Sequence, residues 1–141
     1  MNVLTDTLKD LLVDAGIGEF AGASDWGIYI AYEPDSPDKC ITLFDTGGPT
    51  AQVRLDRDLG PQDLTFQLRV RSMTYDEGME ECRAVRDVFA LVKNMTAVEG
   101  TDTVQYAAII EQQREPTPLA RDKRQRFIFT WNFRTRRWVV S

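Results

Sequence analysis

Between Leu64 and Asn94 the spacing of apolar positions changes once, and the rest of the chain is arranged around that change. Phe66, Leu68 and Val70 alternate with Gln67, Arg69 and Arg71, the period of a strand with one face in a core and one face carrying charge. At Thr74-Tyr75-Asp76-Glu77 the pattern becomes that of a capping box, in which the Thr74 hydroxyl accepts from an early amide and Glu77 reaches back to the Thr74 amide. The residues beyond it, Tyr75, Met79, Cys82, Val85, Phe89 and Val92, fall three or four apart. Glu80, Glu81, Arg83, Arg86 and Asp87 occupy the other side. This predicts an amphipathic helix that follows the strand and lies on a sheet.

The same reading extends to both ends. Leu4, Leu8, Leu11 and Leu12 make the stripe of a first helix, capped by Asn2 or Thr5 and ended by Gly16 in a left-handed conformation. After a glycine-rich link from Gly16 to Gly27, the segments Ile28–Tyr32 and Cys40–Phe44 read as strands. They are separated by Glu33-Pro34-Asp35-Ser36-Pro37-Asp38, whose prolines forbid ladder pairing; the spacing suits an antiparallel hairpin. From Asp45 to Asp63 the periodicity breaks into a long polar loop. Thr96–Thr103 reads as a polar link and Val104–Gln112 as a strand covered on both faces. A last strand carries Phe127, Phe129, Trp131 and Phe133 on one face, and residues 134–141 either extend it or leave the sheet.

The resulting expectation is one domain over residues 1–141 of α+β class: a mostly antiparallel sheet of about five strands, with two helices packed on one face. Ile109, Ile128 and Tyr29 would then fall on or near the opposite face, and Trp26 and Trp138 stand in polar surroundings. Two readings of these residues stay open: ordinary scattered surface apolar groups, or a second face buried by neighbouring copies of the chain.

Composition narrows the chemistry. With 141 residues, 43% apolar and 28% charged, the chain has the size and balance of one soluble domain. No apolar run approaches the roughly 18 residues of a membrane span, and residues 1–6 do not read as a secretory signal, so a cytoplasmic chain is expected. The sequence has no histidine, which removes the usual general base, the commonest zinc partner and every histidine-activated nucleophile. Cys40 and Cys82 are expected as reduced core thiols. Charge is uneven: residues 1–64 hold 12 acids and 4 bases, whereas residues 121–141 hold 1 acid and 7 bases. Such asymmetry reads as interaction surfaces of opposite sign, or as solvated faces with a basic end.

Several segments in this order resemble the tail terminator proteins of long-tailed bacteriophages, often filed as minor capsid or tail completion proteins. They are the short N-terminal helix, Pro-Asp-Ser-Pro-Asp at 34–38, Ile-Thr-Leu-Phe-Asp-Thr-Gly-Gly-Pro at 41–49, and Phe-Gln-Leu-Arg-Val-Arg-Ser at 66–72 followed by Tyr75 and the helix. Pro116-Thr117-Pro118-Leu119-Ala120-Arg121-Asp122, Arg126-Phe127-Ile128-Phe129 and Asn132-Phe133 are similar too. The resemblance implies a structural protein with no catalytic, cofactor or metal residues. It implies a six-membered ring on the head-proximal end of the tail tube, assembled in the host cytoplasm, that stops tube growth and meets the head connector. A head-closure or neck adaptor protein is the alternative within the same class.

Under that resemblance the candidate interface residues are Arg69, Arg71, Arg121, Lys123, Arg124, Arg126, Arg136, Arg137 and Trp138, with Arg69 and Arg71 on the sheet face away from the helices. Asp56, Arg57 and Asp58 form a candidate lumen loop. Since each Lys or Arg contact to phosphate adds affinity through counterion release, a channel that passes DNA works best acidic, with Asp56 and Asp58 near it and the basic set against an acidic partner ring. A reading from another class is a nucleic-acid-binding module in which the arginines of 121–138 interleave with stacking Phe127, Phe129, Trp131 and Phe133. The aspartates Asp35, Asp38 and Asp45 carry only turn chemistry, and Gly47-Gly48 is a weak phosphate-cradle signal with no Lys-Ser/Thr ending.

Overall fold

The alternation at residues 66–71 marks the middle of a longer strand that pairs along its whole length with the aromatic C-terminal strand. The computed structural model describes residues 4–21, 26–47, 61–119 and 121–140. In chain order the elements are α1 (Leu4–Asp14), β1 (Glu19–Phe20), β2 (Gly27–Ile30), β3 (Cys40–Gly47), β4 (Gln62–Ser72), α2 (Tyr75–Ala90), β5 (Lys93–Glu99), β6 (Asp102–Glu111), β7 (Thr117–Leu119) and β8 (Phe127–Val140). Strand order across the sheet is β1-β2-β3-β4-β8-β6-β5, with β7 also on β8.

Pairing of β4 with β8 is antiparallel from Gln62↔Arg137 to Ser72↔Phe127. Because side chains alternate across a strand, Phe66, Leu68 and Val70 share one face with Phe133, Trp131 and Phe129. All six are fully buried there. Phe66 stacks on Phe133 with centroids 5.3 Å apart, and Phe89 of α2 meets both rings edge-on at 5.5 and 5.4 Å. These offset and edge geometries are the ones that aromatic quadrupoles favour. The Trp131 indole N–H donates to the Gln113 carbonyl at 2.9 Å, so its polar atom is satisfied inside.

Helix α2 starts with half of the expected capping box: the Thr74 hydroxyl accepts from the Glu77 amide at 3.3 Å, but the Glu77 carboxylate turns to Lys39 Nζ at 2.8 Å instead of reaching back to the Thr74 amide. Its first turn lies unusually close to the sheet, and Gly78 makes that approach possible. A Cβ there would come 2.3 Å from Phe129 Cε2 and 2.6 Å from Ser72 Oγ. Helix α1 buries Leu4, Leu8 and Leu12 and ends at Gly16, whose φ of +77° favours glycine. It touches β2 and β3 on one side and β5 on the other, and the sheet curls into half a barrel around both helices.

This architecture corrects the expected five-strand, mostly antiparallel sheet. The sheet has eight strands among the described residues and is mixed, because β1–β2 and β2–β3 run parallel, with Gly27↔Cys40 through Ile30↔Leu43 in register. Thus residues 28–32 and 40–44 do not form an antiparallel hairpin. Parallel neighbours require a crossover rather than a tight turn, and residues 31–39 provide it. The polar link expected at 96–103 is β5 with the turn into β6; only Met95 and Ala97 of β5 pack on the core, too short an alternation to be recognised. The end of the chain continues as β8 to Val140.

Of the apolar residues expected on the second face, Tyr29 and Ile128 do lie there, in register with Thr42 and Arg71, whereas Ile109 turns to the core. A register shift between Tyr106 and Ile109 inserts an extra residue in β6. Such a bulge rephases the strand, so Tyr106 and Ile109 are both buried on the core side. Trp26 joins the same core, with Lys39 Nζ 5.4 Å above its ring. On the outer face, Thr65, Gln67 and Arg69 of β4 oppose Arg134, Asn132 and Thr130 of β8, a polar surface that needs no cover.

Replacing Gly78 by alanine isolates the packing constraint. In an open helix this change stabilises by about 1 kcal/mol. Here the added methyl meets Phe129 and Ser72, so a net loss of about 1–3 kcal/mol is expected in chemical denaturation; a rise in stability would contradict the close approach.

Candidate functional site

Three of the arginines singled out above close a strap over the outer face. The crossover 31–39 runs across the ends of β3 and β4, and Arg71 holds it from beneath. Arg71 Nη2 donates to the Pro37 carbonyl at 2.7 Å, its Nε to the Asp38 carbonyl at 3.2 Å, and its Nη1 to Glu33 Oε1 at 3.3 Å. Arg69 Nε lies 2.7 Å from Glu33 Oε2. From the other side, Arg126 Nη1 donates to the Asp35 carbonyl at 2.6 Å and to Asp38 Oδ1 at 3.2 Å, while its Nε meets Asp122 Oδ2 at 2.8 Å. The side chains of Arg71 and Arg126 are each only 3% exposed. A planar guanidinium with five donors suits this use, since it can satisfy several carbonyls and carboxylates at once.

Asp122 is the anchor of the second clamp. It also accepts the backbone N–H groups of Arg124 and Arg126, at 2.9 and 3.0 Å. Burial pushes its carboxyl up, but these amides and the Arg126 guanidinium outweigh that and hold it below the ordinary aspartate value. Arg126 moves up in turn: burial opposes its charge, and bonding to Asp122 and Asp38 prevails.

The remaining candidates occupy different places. Arg121 stacks over Phe127, 4.2 Å from the ring centroid, and Lys123 and Arg124 are exposed on the same 121–126 turn. Arg124 reaches Asp35 at a long 3.4 Å. Arg136 pairs with Asp63 at 2.8 Å, an exposed bond whose hydrogen bonding lowers the Asp63 pKa and raises that of Arg136. Arg137 points inward: its Nη1 donates to Glu99 Oε2 at 2.5 Å and its Nη2 to Gln62 Oε1 at 2.6 Å. Glu99 also accepts from Tyr106 and, at 2.9 Å, from Thr7 of α1. Trp138 is half-buried on the outer face beside β6. Asp56, Arg57 and Asp58 lie outside the described residues, as does Gly48.

The structure therefore divides the basic set. Arg69, Arg71, Arg126 and Arg137 work within the chain, whereas Arg121, Lys123 and Arg124 form an exposed basic cluster on a turn that Arg126 and Asp122 hold rigid. Sequence reasoning missed Glu33, Asp122 and Glu99, the acids that take up these cations; Glu33 and Glu99 meet their arginines 38 positions away, where no local pattern marks them, while Asp122 and Arg126 stand only four apart, in a turn.

The stacking reading of the C-terminal aromatics is corrected as well, since Phe129, Trp131 and Phe133 are fully buried and have no face for a base. Both cysteines are buried and free; burial raises the Cys40 thiol and pushes Cys82 up to about 12, so neither is a ready thiolate. Among the described residues there is no cluster of three metal-ligating side chains and no helix long and apolar enough to cross a membrane.

A strapped half-barrel with a rigid charged turn defines a protein that presents surfaces. The bacteriophage tail terminator family model matches residues 11–137, so the chain belongs to that family, has a structural role in the phage tail and is a component of the virion. A search of the curated proteins finds no match.

Two outcomes test the clamps. Arg71→Met takes the donor from the Pro37 and Asp38 carbonyls and leaves Glu33 to Arg69 alone, and a loss of about 1–3 kcal/mol is expected from the carbonyls left unsatisfied, read by denaturant unfolding. For Asp122 the folded pKa is depressed, so its contribution is complete above the unfolded carboxylate value and is lost as pH falls through the folded one. Asp122→Asn should therefore flatten the fall in stability below about pH 4, measured by melting temperature against pH; an unchanged acid profile would contradict the anchor role.

Proposed function

We propose that this chain is the terminator of a long-tailed phage: six copies form a ring on the head-proximal end of the tail tube, stop its polymerisation and offer the opposite surface to the head connector. The observation that carries the reading is the family match across residues 11–137. The chain acts through assembly and not through catalysis, in the neck of the virion, after assembly in the host cytoplasm.

The basic turn supplies one partner surface. Arg121, Lys123 and Arg124 stand on a segment whose backbone is fixed by the Asp122 and Arg126 clamp, so little conformational entropy is lost when an acidic ring meets it. Cations at a rim raise the encounter rate and select an acidic partner. DNA passes through the ring without specific binding, and Asp56 and Asp58 approach that channel.

Phage made without this protein separates the roles. Electron micrographs should show overlong tubes, the signature of a missing terminator; unattached tails of normal length would identify a head-closure or neck adaptor protein instead. Reversing Arg121, Lys123 and Arg124 to glutamate should leave the fold intact and lower infectious yield at least tenfold through failed joining. Unchanged yield would remove the basic turn from the partner surface.

A further inference from the structure

We infer that the outward face of β5, β6 and β8 receives helix α1 of a neighbouring copy, so that subunits associate head to tail through two different surfaces. The inference rests on the ring reading above and adds which surfaces make the ring.

The receiving surface follows from the register. Arg134, Arg136, Trp138 and Val140 of β8 share one face, and β6 sets Ile110 opposite Arg134, Gln105 opposite Trp138 and Thr103 opposite Val140. The next strand sets Val98 opposite Thr103. Unlike the polar outer surface of β4, this strip leaves large apolar groups in water: Val98 is 62% and Ile110 47% exposed. Six residue steps from Arg134 to Val140 make it about 20 Å long. At its upper end the Ala107–Ala108 bulge and Leu64 floor a groove of about 430 Å³ that Arg134 and Arg136 border.

The inserting surface is the solvent side of α1 with the short strand behind it. Val13 and Phe20 are exposed, the latter at 54%, amid Asp10 and Asp14, and Lys9 lies over Phe20 and against Asp10. An 11-residue helix is about 16 Å long, which fits along the strip. The two surfaces are complementary in kind: each has apolar groups at its centre, one is bordered by arginine and the other by aspartate. Arg136 is already paired with Asp63, which Arg134 reaches only through space; Asp14 and Arg134 make no ion pair among the described residues, so they are the charges left to meet a partner. A contact between unlike surfaces is heterologous and closes into a ring when the rotation allows.

Charge reversal tests the assignment on the full chain. Mass photometry over a concentration series should show the wild-type protein assembling, and Asp14→Lys or Arg134→Glu alone raising the concentration for assembly at least tenfold. An equimolar mixture of the two variants should recover it, because each reversed helix then meets a reversed strip in an alternating ring. Val98→Asp should weaken assembly without rescue by either variant. All three positions are exposed, and unchanged circular dichroism confirms the fold. If the wild type assembles and both reversed variants match it, or the mixture does not recover, the surface assignment falls while the ring reading stands. A wild type that stays monomeric at every concentration, alone and with tail tubes, removes both. DNA binding that Arg134→Glu abolishes while assembly is unaltered would make nucleic acid the occupant of the strip and overturn the inference.

Discussion

The fold depends on the register of β4 against β8. Eleven consecutive pairs, from Gln62↔Arg137 to Ser72↔Phe127, sort every side chain of the two central strands between an aromatic interior and a polar exterior. A slip of one residue would exchange the two sets on β4, placing Arg69 and Arg71 among Phe89, Trp131 and Phe133 and turning Phe66, Leu68 and Val70 out to water. Burial of an unpaired guanidinium costs far more than any alternative pairing could return, so the register has no close competitor. From it follow the seat of α2 on Phe129 and Phe133, the outward aim of the arginines, and the position of the crossover they hold.

The arginine clamps change what the exterior means. A sheet covered by helices on one side only would expose its other side, yet here half of that side is polar and the end of β3 and β4 lies under residues 31–39. Arg71 and Arg126 make this possible because each is surrounded by carbonyls and carboxylates that replace its water. This half of the outer face therefore needs no neighbouring copy to cover it. The surfaces left for partners are narrower: the basic turn at 121–124 and the apolar strip of β5, β6 and β8. A second internal network, Arg137 with Glu99, Gln62 and Tyr106, ties the last strand to the β5–β6 edge and, through Thr7, to α1.

The parts legible in the sequence were those with a long, unbroken period. Residues 66–71, the cap at Thr74 and the aromatic alternation of 127–133 each define an element and its buried face without reference to anything distant. Strand direction was not legible, because the pattern of Ile28–Tyr32 states which face is buried and not which way its neighbour runs. The bulge at Ala107–Ala108 was hidden by two small side chains that fit either face. Among the candidate interface residues, a single arginine reads the same in sequence whether it ends in water or in a clamp; only contacts such as Arg126 with Asp35 and Asp38, 91 and 88 positions away, distinguish the two.

We propose that this half-barrel is one unit of a closed ring at the end of a tail tube. A cryo-electron microscopy reconstruction of the head-proximal tail end of the intact phage tests it most directly. The account predicts a single six-fold ring of this fold seated on the last tube layer, with residues 121–124 turned toward a neighbouring protein ring. Density for this chain along the length of the tube, or at a single asymmetric position in the tail, would contradict it.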